Sequence, residues 1–442
     1  MISRLAPTVS RFMPVFVIVF SRVLGALAAV AVNVILARSL DVVELANVLT
    51  TISIVTIVTL FVTLGIESGT VRIRSNYKVA HNFGGERGFI WFTDRFVLAL
   101  GIVLLAVCLI GIFLAPIQPG SFLSERLVVI ALVALPLGMV RVNAALSLSD
   151  DRARAATIPR QFAQPVFFLL GSLLIWALAP APTATDYLVV YGSSVVSVCL
   201  VQWALAKRVR MAVIHEKPVL SEWKMWVATG LYLGVPGLLT NYGRDLTNAM
   251  SLFFAIPAAE IATIAIALKI TAFFRFTIIA VNQVFAAKLG DAIATGNENE
   301  VDYLLATGTL LKVAMVTVIM VVILICGGQI LAFFSDELRN GRAVLSILML
   351  ETVALIVCGP AALYMSLGKG HRMLIILALV SVVVLATGVA FLGEPFGAIG
   401  VAWAFSGSWM VWAVCSTLYV YRKTGRDVSI LSALRFVTQR QT

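Results

Sequence analysis

Asn241, Arg244, Asp245 and Asn248 stand at i, i+3, i+4 and i+7 within an otherwise apolar stretch. That spacing puts four polar side chains on one face of an α-helix. On insertion scales an Arg or Lys at the centre of a membrane-spanning helix costs roughly 2.5–3.5 kcal/mol, so such a residue faces a wet cavity or a partner. Arg244 and Asp245 are neighbours in sequence and point apart, so each needs another partner: an anion suits Arg244, and a basic residue suits Asp245. Arg22 and Asn33 return to nearly the same helical face, with the small residues Gly25 and Ala29 between them. Lys269 and Arg275 add two more cations. Arg141 and Lys312 complete the embedded basic set and either join the others or snorkel toward the cytoplasmic face. Against these stand only Asp245 and Glu351 as clearly embedded acids, with Glu67 near a helix end. This balance describes an electropositive cavity for an anionic cargo. Arg holds phosphate oxygens through charge-assisted hydrogen bonds, often bidentately, and Asp245 and Glu351 are the candidates for ion coupling or charge pairing.

The elements that must carry these residues are membrane helices. The chain has 442 residues, 60% hydrophobic and 12% charged, whereas soluble domains are nearer half apolar and about a quarter charged. A spanning helix needs about 20 apolar residues, and a membrane β-barrel would show alternating segments of about 10. The runs predict an all-α polytopic protein with about twelve spans: 13–37, 43–68, 96–116, 125–148, 159–179, 186–206, 226–254, 261–285, 303–327, 343–367, 372–392 and 398–421. Helices satisfy their own backbone groups inside lipid. The first span continues past Arg22 to Leu36, which reads as a retained helix rather than a signal peptide.

The pattern occurs twice. Val42-Val43-Glu44-Leu45-Ala46 is followed 216 positions later by Ala258-Ala259-Glu260-Ile261-Ala262, and at the same shift Glu67 meets Gln283 and Arg72 meets Lys288. Ala144-Ala145-Leu146 meets Ala361-Ala362-Leu363 one residue further on. Six spans per repeat is an even number, so the repeats are parallel. The expected organisation is a six-helix lobe over 1–206, a cytoplasmic linker over 207–224, a second lobe over 225–421 and a basic tail over 422–442.

Basic residues fix the orientation. Arg4, Arg11, Arg72, Arg74, Lys78, Arg87, Lys207, Arg208, Arg210, Lys288, Lys369, Arg422, Arg435 and Arg440 fall in segments on the side of both termini, and Arg38, Arg126, Arg339 and Arg342 on the other. Both termini are therefore expected in the cytoplasm, and the net charge of +11 reads as this topology signal on a surface facing anionic lipid, with no nucleic-acid partner. Cys108, Cys199, Cys326, Cys358 and Cys415 sit in apolar helices without ligand spacing, and the three His are isolated. No metal and no cofactor are expected. Gly84-Gly85-Glu86-Arg87-Gly88 lacks the Lys and hydroxyl of a phosphate-cradling loop. Short exterior loops and the lack of a nucleophile or metal constellation argue against an enzyme. Pro136, Pro236 and Pro360 lie within spans, as static shaping or as hinges.

Further motifs carry a family resemblance. Leu36-Ala37-Arg38-Ser39-Leu40 with Glu44, Leu64-Gly65-Ile66-Glu67-Ser68-Gly69 with Arg72, Ile158-Pro159 with Pro165, mid-helix Arg244-Asp245, and Ala287-Lys288-Leu289-Gly290-Asp291 with Gly296-Asn297 make the chain resemble the polysaccharide flippases of the multidrug/oligosaccharidyl-lipid/polysaccharide exporter superfamily. The resemblance implies a V-shaped bundle whose two lobes enclose a cationic central cavity and alternate between inward-open and outward-open states in a bacterial inner membrane. It implies an undecaprenyl-pyrophosphate-linked oligosaccharide as cargo, its pyrophosphate meeting Arg22, Arg244, Lys269 and Arg275. A polysaccharide polymerase and glycosyltransferases would be its partners. A cation-coupled drug antiporter of the same superfamily would favour embedded carboxylates, and a peptidoglycan-precursor flippase commonly has two more helices. A major-facilitator carrier would show a different loop after its second span.

Overall fold

The computed structural model describes the backbone of residues 2–114, 122–367 and 370–441. Side chains are described over the same stretches except at 2–16, 114, 122–124, 276–277, 279–280, 283–284, 287, 367 and 436–441. The expectations placed on Arg4, Arg11, Gln283, Ala287, Lys369 and Arg440 therefore lie outside the described side chains. Among the described residues the chain is all helical, without strands, and clusters into two compact units, Met1–Gly234 and Val235–Thr442.

The first unit contains α1 (Ile2–Ser39), α2 (Val42–Thr63), α3 (Ile66–Val79), α4 (Phe83–Leu114), α5 (Phe122–Leu148), α6 (Ala153–Ile158), α7 (Gln164–Leu178) and α8 (Ala184–Met211). α9 (Trp223–Thr240) begins in it and runs past the division. The second span is bent rather than continuous. Leu64 and Gly65 adopt left-handed backbone (φ 45° and 72°) between α2 and α3, and Gly65 lies against Gly230 so closely that a Cβ at Gly65 would meet the Gly230 carbonyl oxygen at 2.7 Å. Between α6 and α7 the chain makes a π-helical turn, Pro159–Ala163. Pro165 has no N–H to return to Gln161, so that carbonyl is released from the helical ladder. Gly25 of α1 packs against it. The small residue between Arg22 and Asn33 thus serves helix packing.

The second unit contains α10 (Gly243–Phe253), α11 (Ala258–Thr295), α12 (Glu298–Phe334), a 3₁₀ turn (Asp336–Gly341), α13 (Arg342–Leu348), α14 (Leu350–Val357), α15 (Ala361–Leu367), α16 (His371–Thr424) and α17 (Ile430–Gln441). α16 is two helices joined at Gly397 (φ 54°, ψ −135°). The tenth span is likewise divided: Gly359 is left-handed (φ 73°) just before Pro360, separating α14 from α15. Each of the twelve expected spans falls in these helices. Nine stretches among the described residues are long and apolar enough to cross a membrane by length and composition.

Some residues that correspond at the shift of 216 positions contact another helix in both units. The Glu44 carboxylate takes a backbone hydrogen bond from Ala184 at the start of α8, and Glu260 takes one from Ala398 just past the Gly397 turn. Arg210 after the sixth span pairs with Asp94 of α4 at 2.6 Å, and Arg426, 216 positions on, pairs with Asp302 of α12 at 3.1 Å. Arg126 of α5 donates to Asn47 at 3.1 Å, and its counterpart Arg342 donates to the Leu324 carbonyl. Arg126 and Arg210 thus correspond to Arg342 and Arg426, and Glu44 to Glu260, while their partners do not correspond: at the same shift Asp302 meets Glu86 and Leu324 meets Cys108.

Several basic residues expected in solvated loops are interior. Arg74 belongs to α3 and is 1% exposed, held by Glu86 and by the Leu146 carbonyl at 3.2 Å. Arg126, expected in an exterior loop, is buried in α5. A guanidinium placed between helices makes several hydrogen bonds at once, which short sequence windows do not reveal. The C-terminal segment is α17, packed on α12 with Val428 and Ala433 buried.

Candidate functional site

α10, α11, α14 and α16 of the second unit converge on a buried three-residue ion cluster. Glu351, in the first turn of α14, is 0% exposed and uses its two oxygens on different partners. Arg244 of α10 donates to Oε2 at 2.7 Å, and Arg275 of α11 donates to Oε1 at 2.7 Å. Both guanidinia lie on aromatic rings of α16: Arg275 is 4.2 Å from the Trp409 centroid and Arg244 is 5.6 Å from that of Phe405. Desolvated cation–π contacts of this kind contribute about 2 kcal/mol.

Local sequence explains the assembly. The seventh span breaks at Asn241 and Tyr242 and restarts at Gly243, so α10 is a short, strongly amphipathic helix whose first turn carries Arg244. Gly243 leaves open the space beside it: a Cβ there would lie 3.8 Å from Trp409 Nε1. α14 is bounded by a turn at Met349 and by the Cys358–Gly359 turn, which makes Glu351 part of a two-turn segment rather than of a long helix.

The cluster carries one net positive charge and more donors than it uses. Arg244 Nε, Trp409 Nε1 and Thr352 Oγ1 are buried without a hydrogen-bond partner among the described residues. Buried polar groups are satisfied in the great majority of cases, so the unspent Arg244 Nε and the Trp409 Nε1 of the ring under Arg275 suit a ligand that accepts hydrogen bonds. At the repeat shift of 216, Arg244, Arg275 and Glu351 correspond to Ala28, Thr59 and Leu135. The cluster therefore has no counterpart at the corresponding positions of the first unit.

The other anticipated residues are distributed differently. Asn241 is exposed on the turn before α10, not on a helical face with Arg244, because the helix is interrupted between them. Asp245 is half-buried and Asn248 is buried on α10. Lys269 is half-buried on α11, with no ion pair or hydrogen bond among the described residues. Arg22, Asn33 and Arg141 belong to the first unit. Asn33 donates to its own helix at Ala29, 2.6 Å away. Arg141 is 4% exposed and donates to the Thr56 carbonyl at 3.3 Å, so it is interior and does not snorkel. Lys312 is also interior, with Asn282 as its acceptor at 3.2 Å. Phe405, Trp409 and Thr352 were not legible as site residues. Their only signal is an indole within an apolar helix, which core packing explains equally well.

No protein-family model matches this sequence, and no curated protein matches it. Solved structures do. An inward-facing multidrug resistance MATE family transporter of the MOP superfamily has a TM-score of 0.71 at 13% identity, covering 95% of this chain and 96% of that one. Lipid II flippase MurJ in an inward closed conformation has a TM-score of 0.70 at 13% identity, covering 96% and 93%. A MOP superfamily transporter from Pyrococcus furiosus, described as having a binding pocket of reverse polarity, has a TM-score of 0.56 at 14% identity, covering 92% and 99%. At these identities the likeness is one of fold, and this chain has the all-helical, polytopic fold of MATE transporters and MurJ.

Proposed function

We propose that this chain is a transporter that flips an anionic, lipid-linked oligosaccharide across the bacterial inner membrane for surface polysaccharide synthesis, with both termini in the cytoplasm. The cargo head is a pyrophosphate, the lipid is of the undecaprenyl type, and a glycosyltransferase set and a polymerase act before and after it. The observation that carries the reading is the net positive cluster of Arg244, Arg275 and Glu351 with its unspent donors. Two guanidinia in a low-dielectric site hold phosphate oxygens through bonds about twice as strong as neutral ones. A site for cationic drugs would carry the opposite balance. Likeness of fold to a MATE protein supports drug export as much as lipid flipping, and the net positive charge of the cluster is what favours an anionic cargo.

Likeness of fold to lipid II flippase MurJ supports a second reading with the same site chemistry, a peptidoglycan precursor as cargo. Counting lipid-linked oligosaccharide on the cytoplasmic leaflet of cells with and without the protein tests both. Accumulation of a polysaccharide repeat unit supports the first reading, and accumulation of peptidoglycan precursor the second. Unchanged lipid pools with altered tolerance to cationic drugs would overturn both.

A further inference from the structure

Glu351 is a fully buried carboxylate that occupies both arginines of the proposed cargo site. A cargo anion meeting Arg244 and Arg275 would share a desolvated space with a second negative charge. A like charge at such range disfavours the charged form of its neighbour, the more so once the two guanidinia are shared with the cargo. Glu351 has no exposed surface where it stands, and its partner Arg244 is partly exposed. Of the other cations on the elements around it, Lys269 of α11 is half-buried and Lys312 of α12 is buried, and neither pairs with it. α16 presents Phe405 and Trp409, and α13 is buried through Val344, Leu345 and Leu348. α12 packs Val316 and Met320 beside Ile356 of α14. The charged neighbours are Arg244 with adjacent Asp245 on α10, and Arg275 with Lys269 on α11.

We propose that Glu351 is a built-in anion that fills the two-arginine site in the absence of cargo, and that a cargo anion replaces it with uptake of one proton by Glu351. The proton neutralises the carboxylate while both guanidinia pass to the cargo, so the site stays near its original net charge. By reciprocity, anion binding strengthens proton binding and acidity strengthens anion binding. α14 suits the exchange because turns interrupt the helix on both sides of its two turns. This inference rests on the anionic-cargo reading and adds to it a linked proton.

Sulfate is the probe, since it stays a dianion near neutral pH and takes up no proton itself. Calorimetry on the purified full-length protein in two buffers of different ionisation enthalpy counts the protons bound per sulfate. We expect net uptake approaching one proton, and a Kd that rises with pH by up to ~10-fold per unit, the limit for one linked proton. Glu351→Gln should bind sulfate at least as tightly, without pH dependence or proton uptake. The wild-type result stands without the variant if the variant does not fold. Sulfate binding that is pH-independent and proton-free would overturn the linkage while leaving the anion site intact. Proton uptake retained by a folded Glu351→Gln protein would overturn the assignment to Glu351. No saturable sulfate binding by the wild type would overturn this inference and the anionic site together.

Discussion

The Ala398 backbone N–H donates to the Glu260 carboxylate, and the turn that aims it there is made by Gly397. A Cβ at Gly397 would fall on that carboxylate, in a backbone region essentially closed to other residues. Gly397→Ala is expected to destabilise the protein by about 1–3 kcal/mol, seen as a lower melting temperature in detergent. Gly407→Ala, with open space around its Cβ, should melt at or slightly above wild type. Equal melting of the two variants would refute this account of the turn.

Arg74 and Glu86 form a buried pair in the first unit. Removing one partner of such a pair leaves an uncompensated charge and costs about 3–5 kcal/mol. Glu86→Ala should therefore reduce abundance and melting temperature sharply. Arg74→Met combined with Glu86→Leu should recover most of the loss. A double variant as unstable as Glu86→Ala would show that the pair is needed for more than charge balance.

Lys312 is 2% exposed, and its single described hydrogen-bond partner is the neutral Asn282. A buried ammonium without a carboxylate is poorly compensated, and an apolar replacement of similar volume is often neutral or stabilising. Lys312→Met is expected to melt at or above wild type and to export normally. Loss of export with intact folding would move Lys312 into the functional site.

Much of this molecule is legible in the residue order. The all-helical, polytopic fold follows from apolar runs, because these are properties of local sequence. The expected spans fall in helices, nine stretches of which are long and apolar enough to cross a membrane among the described residues. Arg244 stands out because an arginine in a membrane helix needs a reason. Glu351 stands out too, as an embedded acid, but its pairing does not, since it is 107 residues from Arg244 and 76 from Arg275. Periodicity cannot report a contact between separate helices. It also extends a helix through Asn241, where the chain in fact turns at Tyr242 before restarting at Gly243. The same blindness turns Arg74 and Arg126 into loop charges, when both are struts between helices.

Within the ion cluster, stability and function should separate. Arg275→Gln leaves Glu351 with one cation and removes the charge from the face of Trp409, so it should lower the melting temperature. Adding Glu351→Gln should restore much of that loss by removing the unmatched carboxylate. Export should stay lost in both. Recovery of export along with stability would mean that the cluster only braces the helices.

The most direct test of the anionic-cargo claim is export by the triple variant Arg244→Gln, Arg275→Gln and Glu351→Gln, which keeps polar side chains in place and removes every charge from the cluster. Two charge-assisted hydrogen bonds at about 1.5–3 kcal/mol each correspond to at least a ~100-fold loss of cargo affinity. The account predicts normal insertion and abundance, lipid-linked oligosaccharide retained on the cytoplasmic leaflet and surface polysaccharide lost. Surface polysaccharide at the wild-type level in cells carrying the triple variant would contradict it.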